Sequence, residues 1–223
     1  MGDFEPNFTF ENNVTLLGAG QSKAADLAEC LTLAPHLIAA DGGAGVALAA
    51  GHMPAAVIGD FDSIDRGALA AIPETRLFEI SEQDSTDFEK CLRTVDAPLI
   101  LGLGFLGARV DHMLAAFNAI VRCPRDVILI GEEDVAFHAQ AGRRYAIDLA
   151  KGARVSLFPM GAVSGQGAGL RWPICGLEFA PDARIGTSNE ATGPVELEFA
   201  QAGMIVILER AALGAAMEAL TRA

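Results

Sequence analysis

A series of short apolar runs, most of them ending on glycine or aspartate, constrains this chain more than any other feature. VTLLGAG (14–20), LIAADGG (37–43), AAVIGDFDS (55–63), RLFEI (76–80), PLILGLG (98–104) and VILIGEE (127–133) have the length of strands. Their near-continuous apolar character is what burial on both faces of a parallel sheet requires. Helical patterns lie between them, one after Ser22 and one from Thr86 to Val95, where Phe88, Leu92 and Val95 recur at i, i+4, i+7. The first half is therefore predicted as α/β with a mostly parallel sheet. In such sheets ligands sit where the loops leave the carboxyl ends of the strands, which here carry the Gly and Asp residues.

The pattern changes after about Glu132. VAFHAQ, RRYAID, ARVSLFP, VELEFA and MIVILE alternate and are separated by turns such as Ala141-Gly142, which predicts an antiparallel β-sandwich. The boundary falls near residues 131–134, giving domains 13–132 and 133–223, with a closing helix from Ala211 to Leu220. The 223 residues suffice for two cores. With 51% hydrophobic and 20% charged residues, and apolar runs cut well short of a membrane span, the composition is that of a soluble globular protein. The start, MGDFEPNFTFENN, has neither a basic segment nor a long apolar one, so the expectation is a cytoplasmic protein without a secretory signal. A formal net charge of −13 argues against a nucleic-acid partner. Cys30, Cys91, Cys123 and Cys175 are isolated and have apolar neighbours, and are read as buried thiols.

Three strand ends carry chemistry. Gly59-Asp60-Phe61-Asp62-Ser63 sets two carboxylates at i and i+2; in extended chain these point the same way, and their repulsion, about 4 kcal/mol at 4 Å and an effective dielectric of 20, invites a cation. Magnesium, which prefers one or two carboxylates plus substrate phosphates, suits such a pair; a solvated turn is the structural alternative. Asp84-Ser85-Thr86-Asp87 opens the next helix, where Thr86 and Glu89 fit a capping box and Lys90 can reach either a phosphate or Asp87. Gly104-Phe105-Leu106-Gly107-Ala108-Arg109-Val110-Asp111-His112 is a third, with glycines for close approach and an arginine fork for phosphate; Asp111 also suits an N-cap and His112 a helix surface. Asp41-Gly42-Gly43 adds a fourth, suited to ribose or phosphates. Gly18-Ala19-Gly20 lacks the third glycine of a dinucleotide fingerprint, and no Walker lysine-serine pair exists.

In this order and at these separations, ADGGA, GDFDS, DSTDFEKCL and GxxGxRxDHxLA resemble the thiamine pyrophosphokinase family, and VSLFPMGAVSGQGAGLRWPI, TSNE and GMIVIL extend the resemblance. It implies a Rossmann-like, three-layer α/β domain binding ATP and magnesium, a β-sandwich domain, and a homodimer with thiamine sites between subunits. The implied reaction transfers pyrophosphate to thiamine and leaves AMP. By matching motif, Asp60, Asp62 and Asp84 are implied to be metal residues, with Asp111 and Arg109 also catalytic. Asp41, Gly42, Gly43, Asp87, Lys90, Arg109 and His112 are implied on the ATP side, and Trp172, Ser188 and Asn189 on the thiamine side. An aromatic face at Trp172 also suits a cationic thiazolium. The chain departs from the family pattern at Ala108, at Ala116, where Asn118 offers a displaced amide, and at Gln166-Gly167. Asp84 and Asp111 are the two candidates for accepting the hydroxyl proton. Two other functions fit a DxD at a strand end: a phosphatase with an aspartyl nucleophile, and a non-catalytic Mg-nucleotide sensor.

Overall fold

The computed structural model describes residues 8–107 and 109–222. The reading of the extreme N-terminus and the departure at Ala108 therefore fall, wholly or in part, outside the described residues. The chain divides into two compact units, one comprising 1–119 and 129–131, the other 120–128 and 132–223.

In the first unit the elements run β1 (Phe8–Thr9), β2 (Val14–Leu17), α1 (Ala24–Leu33), β3 (His36–Ala40), α2 (Gly43–Ala49), β4 (Ala56–Gly59), α3 (Arg66–Ala71), β5 (Leu77–Glu79), α4 (Asp87–Thr94), β6 (Val95–Asp96) and β7 (Ile100–Leu103). α5 (Val110–Arg122) and β8 (Val127–Ile130) straddle the division. β2 pairs in parallel with β3 and with β7, β3 with β4, and β4 with β5. The chain thus leaves β2 in one direction through β3, β4 and β5, then returns to β7 on the other side of β2. That reversal opens a crevice at the carboxyl ends of β2 and β7. Every residue of β2, β4, β7 and β8 is buried, which accounts for the uninterrupted apolar runs. α4 shows how local sequence sets an element. Thr86 accepts a hydrogen bond from the Glu89 N–H at 3.3 Å, Asp87 and Glu89 occupy the first turn, and Phe88, Cys91 and Leu92 are buried.

The second unit is antiparallel β: β9 (Asp134–Ala139), β10 (Arg144–Ile147), β11 (Arg154–Pro159), β12 (Val163–Leu170), β13 (Glu178–Phe179), β14 (Gly186–Phe199) and β15 (Met204–Glu209), closed by α6 (Leu213–Arg222). β14 serves two ladders: its first part pairs with β11, and its second part with β10 and β12. β12 was not among the strands expected. Its three glycines lower strand propensity, yet a Cβ at Gly165, Gly167 or Gly169 would lie 2.7, 2.8 or 2.1 Å from a backbone oxygen of β14. Close approach of two backbones here overrides propensity. Gln166 sits opposite Glu198 and donates to its carboxylate at 3.2 Å, so that departure serves as a cross-strand pair. Arg143 clips this unit together, bonding Asp126 at 2.7 and 3.0 Å and also the Leu220 carbonyl of α6. Cys30, Cys91 and Cys123 are buried as expected, but Cys175 is exposed: it lies in the segment between β12 and β13, where only Ile174 turns inward.

Candidate active site

The crevice at the carboxyl ends of the first unit's strands is a cavity of about 600 Å³. Its glycine wall comes from two loops laid against each other. Gly18 N–H donates to Leu103 O at 2.8 Å and Gly20 N–H to Gly104 O at 3.0 Å, and a Cβ at Gly20 would stand 2.4 Å from that same oxygen. The Gly18–Gly20 run thus has a use outside any dinucleotide fingerprint. Phe105, Leu106 and Ala116 give the cavity an apolar part, with Phe105 packed on Phe88 at a ring separation of 4.1 Å.

At the polar end Asp41, Asp60 and Asp87 each place one carboxylate oxygen within 4.8 Å of the others. Asp41 follows β3 in a left-handed conformation (φ 38°) and is 1% exposed. One of its oxygens, Oδ2, accepts the Ser63 N–H at 3.1 Å; the other, Oδ1, is buried with no hydrogen-bond partner. Burial pushes the Asp41 carboxyl up to about 6, the Ser63 bond opposes this, and the negative charges of Asp87, Asp60 and Asp62 add to it. Asp60 goes the other way. Burial acts upward on it, but hydrogen bonds from Gln83, the Asp62 N–H and Lys90 hold it below its ordinary value. Lys90, 1% exposed, lies 3.3 Å from Asp60 and 3.1 Å from Asp87. Burial alone would depress the ammonium; the two carboxylates raise it. Of its two expected contacts the structure shows the pair with Asp87, and Lys90 also lines the cavity.

A buried carboxylate oxygen without a donor, beside two further carboxylates and one lysine, is a set of hard oxygen donors with excess negative charge. Such a set fits a small divalent cation such as magnesium, which takes carboxylates and keeps room for phosphate oxygens.

The cluster shares only Asp60 with the metal set implied by resemblance. Asp62 was expected to point the same way as Asp60, but Phe61 between them has φ 62°, which breaks the extended alternation. Asp62 remains at the rim of the cavity, exposed, accepting the Ser63 hydroxyl at 2.8 Å. Asp84 is exposed and off the cavity lining, its N–H bound to Glu82 at 2.8 Å. Asp87, first residue of α4, takes the place beside Asp60. Asp111 is not an N-cap: it lies inside the first turn of α5, is absent from the cavity lining, and is held by Arg109 at 2.7 and 3.2 Å. That pair keeps the Asp111 carboxyl below and the Arg109 guanidinium above their usual values. Arg109, His112 and Gly42 line the cavity, whereas Gly43 is buried beneath Leu17. Asn118 is exposed on α5 and Ala116 lines the cavity, so the displaced amide does not replace the one missing at 116. Sequence reasoning missed Gln83, which lines the cavity and donates to Asp60 at 2.9 Å. Its position immediately before the Asp84-Ser85-Thr86-Asp87 motif was the available signal.

Residues 27–130 match the model of the thiamin pyrophosphokinase catalytic domain. The match takes in just under half of the chain. Thiamine pyrophosphokinase 1 of Arabidopsis thaliana is 27% identical over 156 residues, covering 62% of this chain and 58% of that protein. Thiamine pyrophosphokinase 1 of Oryza sativa subsp. japonica is 28% identical over a region covering 62% and 59%. The chain thus spans less than two thirds of the length of these relatives. Yeast thiamin pyrophosphokinase superimposes with a TM-score of 0.75 over 92% of both chains at 14% identity, and that of Candida albicans with 0.74 over 89% of both at 18%. These likenesses show that the whole α/β and β architecture, not the matched segment alone, has the thiamin pyrophosphokinase fold.

The residues that the resemblance assigns to thiamine lie in the second unit. Asn189 is 8% exposed: its Oδ1 accepts the N–H groups of Trp172 (3.1 Å) and Glu190 (2.8 Å), and its Nδ2 donates to the Trp172 carbonyl at 2.8 Å. Its amide therefore fixes the backbone of Trp172, whose ring is 52% exposed rather than part of a sandwich core. Arg171 stands over that ring at 4.9 Å. Ser188 is left-handed (φ 59°) and donates its N–H to Ser156 Oγ at 2.9 Å.

Proposed function

We propose that this protein is a thiamine pyrophosphokinase, transferring pyrophosphate from Mg-ATP to the hydroxyl of thiamine. The carrying observation is the Asp41–Asp60–Asp87 cluster, with its unpartnered Asp41 Oδ1, in a cavity of a thiamin pyrophosphokinase catalytic domain. In the reaction the thiamine hydroxyl oxygen forms a bond to the β-phosphorus of ATP, the bond from that phosphorus to the oxygen bridging the α-phosphate breaks, AMP leaves with that oxygen, and the hydroxyl proton is released to solvent. Magnesium, when bound, supplies positive charge to the phosphate oxygens. Asp41, Asp60 and Asp87 are the residues that would hold it. Lys90 offsets part of the cluster's charge, and the Gly18–Gly20 and Gly104–Gly107 loops let phosphates approach the backbone. Arg109, now closed on Asp111, offers its guanidinium fork to a phosphate by exchanging one anion for another. Positioning and charge stabilisation account for most of the rate in such transfers. Asp60 is bound by Lys90, Gln83 and the Asp62 N–H, which leaves it poorly disposed as a phosphatase nucleophile.

The test is to incubate the protein with ATP, magnesium and thiamine and to separate nucleotides from thiamine esters. AMP with thiamine diphosphate is expected; ADP with thiamine monophosphate, or no thiamine ester at all, overturns the proposal. Trp172 is proposed to stack on the thiazolium. Trp172→Ala is therefore expected to raise the KM for thiamine about 2- to 30-fold, the equivalent of ~0.5–2 kcal/mol, with the KM for ATP unchanged. An unaltered thiamine KM rules out the stacking role. The same reading includes a homodimer in the cytoplasm. Val110 and Leu114, exposed one turn apart on α5, form an apolar patch suited to association.

A further inference from the structure

We infer that Glu82, Ser85 and Arg93 form a positioning clasp that holds the loop between β5 and α4 so that Gln83 orients Asp60 for its cation. The inference rests on Asp60 being a cation ligand, as proposed above.

The loop from residue 80 to residue 86 has few backbone anchors of its own. Ile80 N–H donates to Gly59 O at 2.8 Å, and Thr86 caps α4. Holding such a segment in one conformation costs about 1–2 kcal/mol per residue, so a fixed loop needs side-chain anchors. Glu82 supplies them. Its Oε2 accepts the Asp84 N–H at 2.8 Å, and its Oε1 accepts both the Ser85 hydroxyl and the Arg93 guanidinium. Arg93 also donates to Ser85 Oγ at 2.9 Å, closing a three-membered cluster. The cluster brackets Gln83 on both sides in sequence. That residue is exposed, yet its Nε2 donates to Asp60 Oδ2 at 2.9 Å, the oxygen that Lys90 also reaches.

α4 ties the two halves of this arrangement together. Lys90 and Arg93 are three residues apart, hence neighbours on the helix surface. One extends to Asp60 and Asp87, the other to Glu82 and Ser85. The helix is anchored by buried Phe88, Cys91 and Leu92. It therefore acts as a common reference for the cation cluster and for the loop that braces it. Groups that orient a metal ligand through hydrogen bonds typically change metal affinity or activity 10- to 100-fold when removed. Half-exposed ion pairs, by contrast, contribute little to stability. A clasp with a positioning role should therefore show in cation affinity and hardly at all in melting temperature.

Manganese(II) binding to the nucleotide-free protein, followed by calorimetry, is the direct test. Glu82→Gln is expected to weaken manganese binding roughly tenfold, with a melting temperature close to that of the unaltered protein. Gln83→Leu should weaken it to a similar degree, and the double variant little further, because both act through one path to Asp60. Arg93→Lys, which keeps a charged donor, should recover part of the affinity that Arg93→Leu loses. Unchanged affinity in Glu82→Gln, full additivity in the double variant, or no manganese binding by the unaltered protein overturns the inference. Because this readout needs neither thiamine nor turnover, a protein that binds manganese as expected but forms no thiamine diphosphate overturns the proposed function and leaves the clasp standing.

Discussion

Asp41→Asn is expected to stabilise the metal-free protein while abolishing its binding of divalent cations. Both effects arise from the same buried carboxyl group. Asp41 is 1% exposed, has an unpartnered oxygen, and faces Asp60 and Asp87. Its carboxyl titrates near 6 in the folded protein against 3.8 in the open chain. A raised carboxyl binds its proton more tightly folded than unfolded. Folding stability therefore falls as pH climbs from the unfolded value to the folded one, and stays lower above it. At 1.36 kcal/mol per unit the difference is roughly 3 kcal/mol. Asparagine removes the charge, keeps an oxygen for the Ser63 N–H, and tolerates the left-handed backbone. In chelator, the variant should unfold at higher urea than the unaltered protein at pH 8, with the gap narrowing towards pH 4. Magnesium should reverse the ranking at pH 8, because it stabilises only the protein that binds it. Equal stabilities at pH 8 would show that Asp41 is not strained by its charge, and unaltered manganese affinity in the variant would show that it is not part of a cation site.

The same residue marks where the sequence stops being informative. The strand runs and their Gly/Asp endings are local properties, and they placed β2, β3, β4, β5, β7 and β8 and the crevice beside them. Which carboxylates converge is not local. Asp60 and Asp62 share a motif, but a single left-handed residue, Phe61, separates their directions. Asp84 and Asp87 share another; the bond from Asp84 N–H to Glu82 lies in the loop, while the start of α4 brings Asp87 to Asp60. Asp41 looked like a ribose or phosphate contact, and only the parallel pairing of β3 with β4 sets it against Gly59 and Asp60. In the second unit β12 was hidden by its glycines, whose purpose becomes visible only once β14 lies across them. Trp172 and Asn189 were legible as candidates. Their hydrogen bonds, which make Asn189 a holder of Trp172, were not.

Gly43→Ala is expected to unfold the protein or cost it at least about 3 kcal/mol, more than a typical overpacked core site. Gly43 opens α2, and a Cβ there would lie 2.0 Å from the Leu17 carbonyl oxygen and 2.8 Å from its carbon. That carbonyl has nowhere to retreat. Leu17 ends β2, which is paired on one side with β3 and on the other with β7, and the next residue's N–H is bonded to Leu103 O at 2.8 Å. Relief must come from lifting α2, which carries Asp41 and Gly42 away from the cavity with it, so cation binding should fail along with stability. Gly45→Ala, two residues later in the same helix, is the control. Its Cβ would meet nothing within 4 Å, and alanine's better helix propensity should stabilise the protein by up to ~1 kcal/mol. Urea unfolding of the two variants reads both signs at once. A Gly43→Ala protein within ~1 kcal/mol of the unaltered one would mean that β2 and α2 can separate without loss, and that the close contact beneath the carboxylate cluster is incidental to it. Opposite signs from two glycines in one short helix would instead assign the constraint to the contact between α2 and β2, with helix propensity the lesser effect.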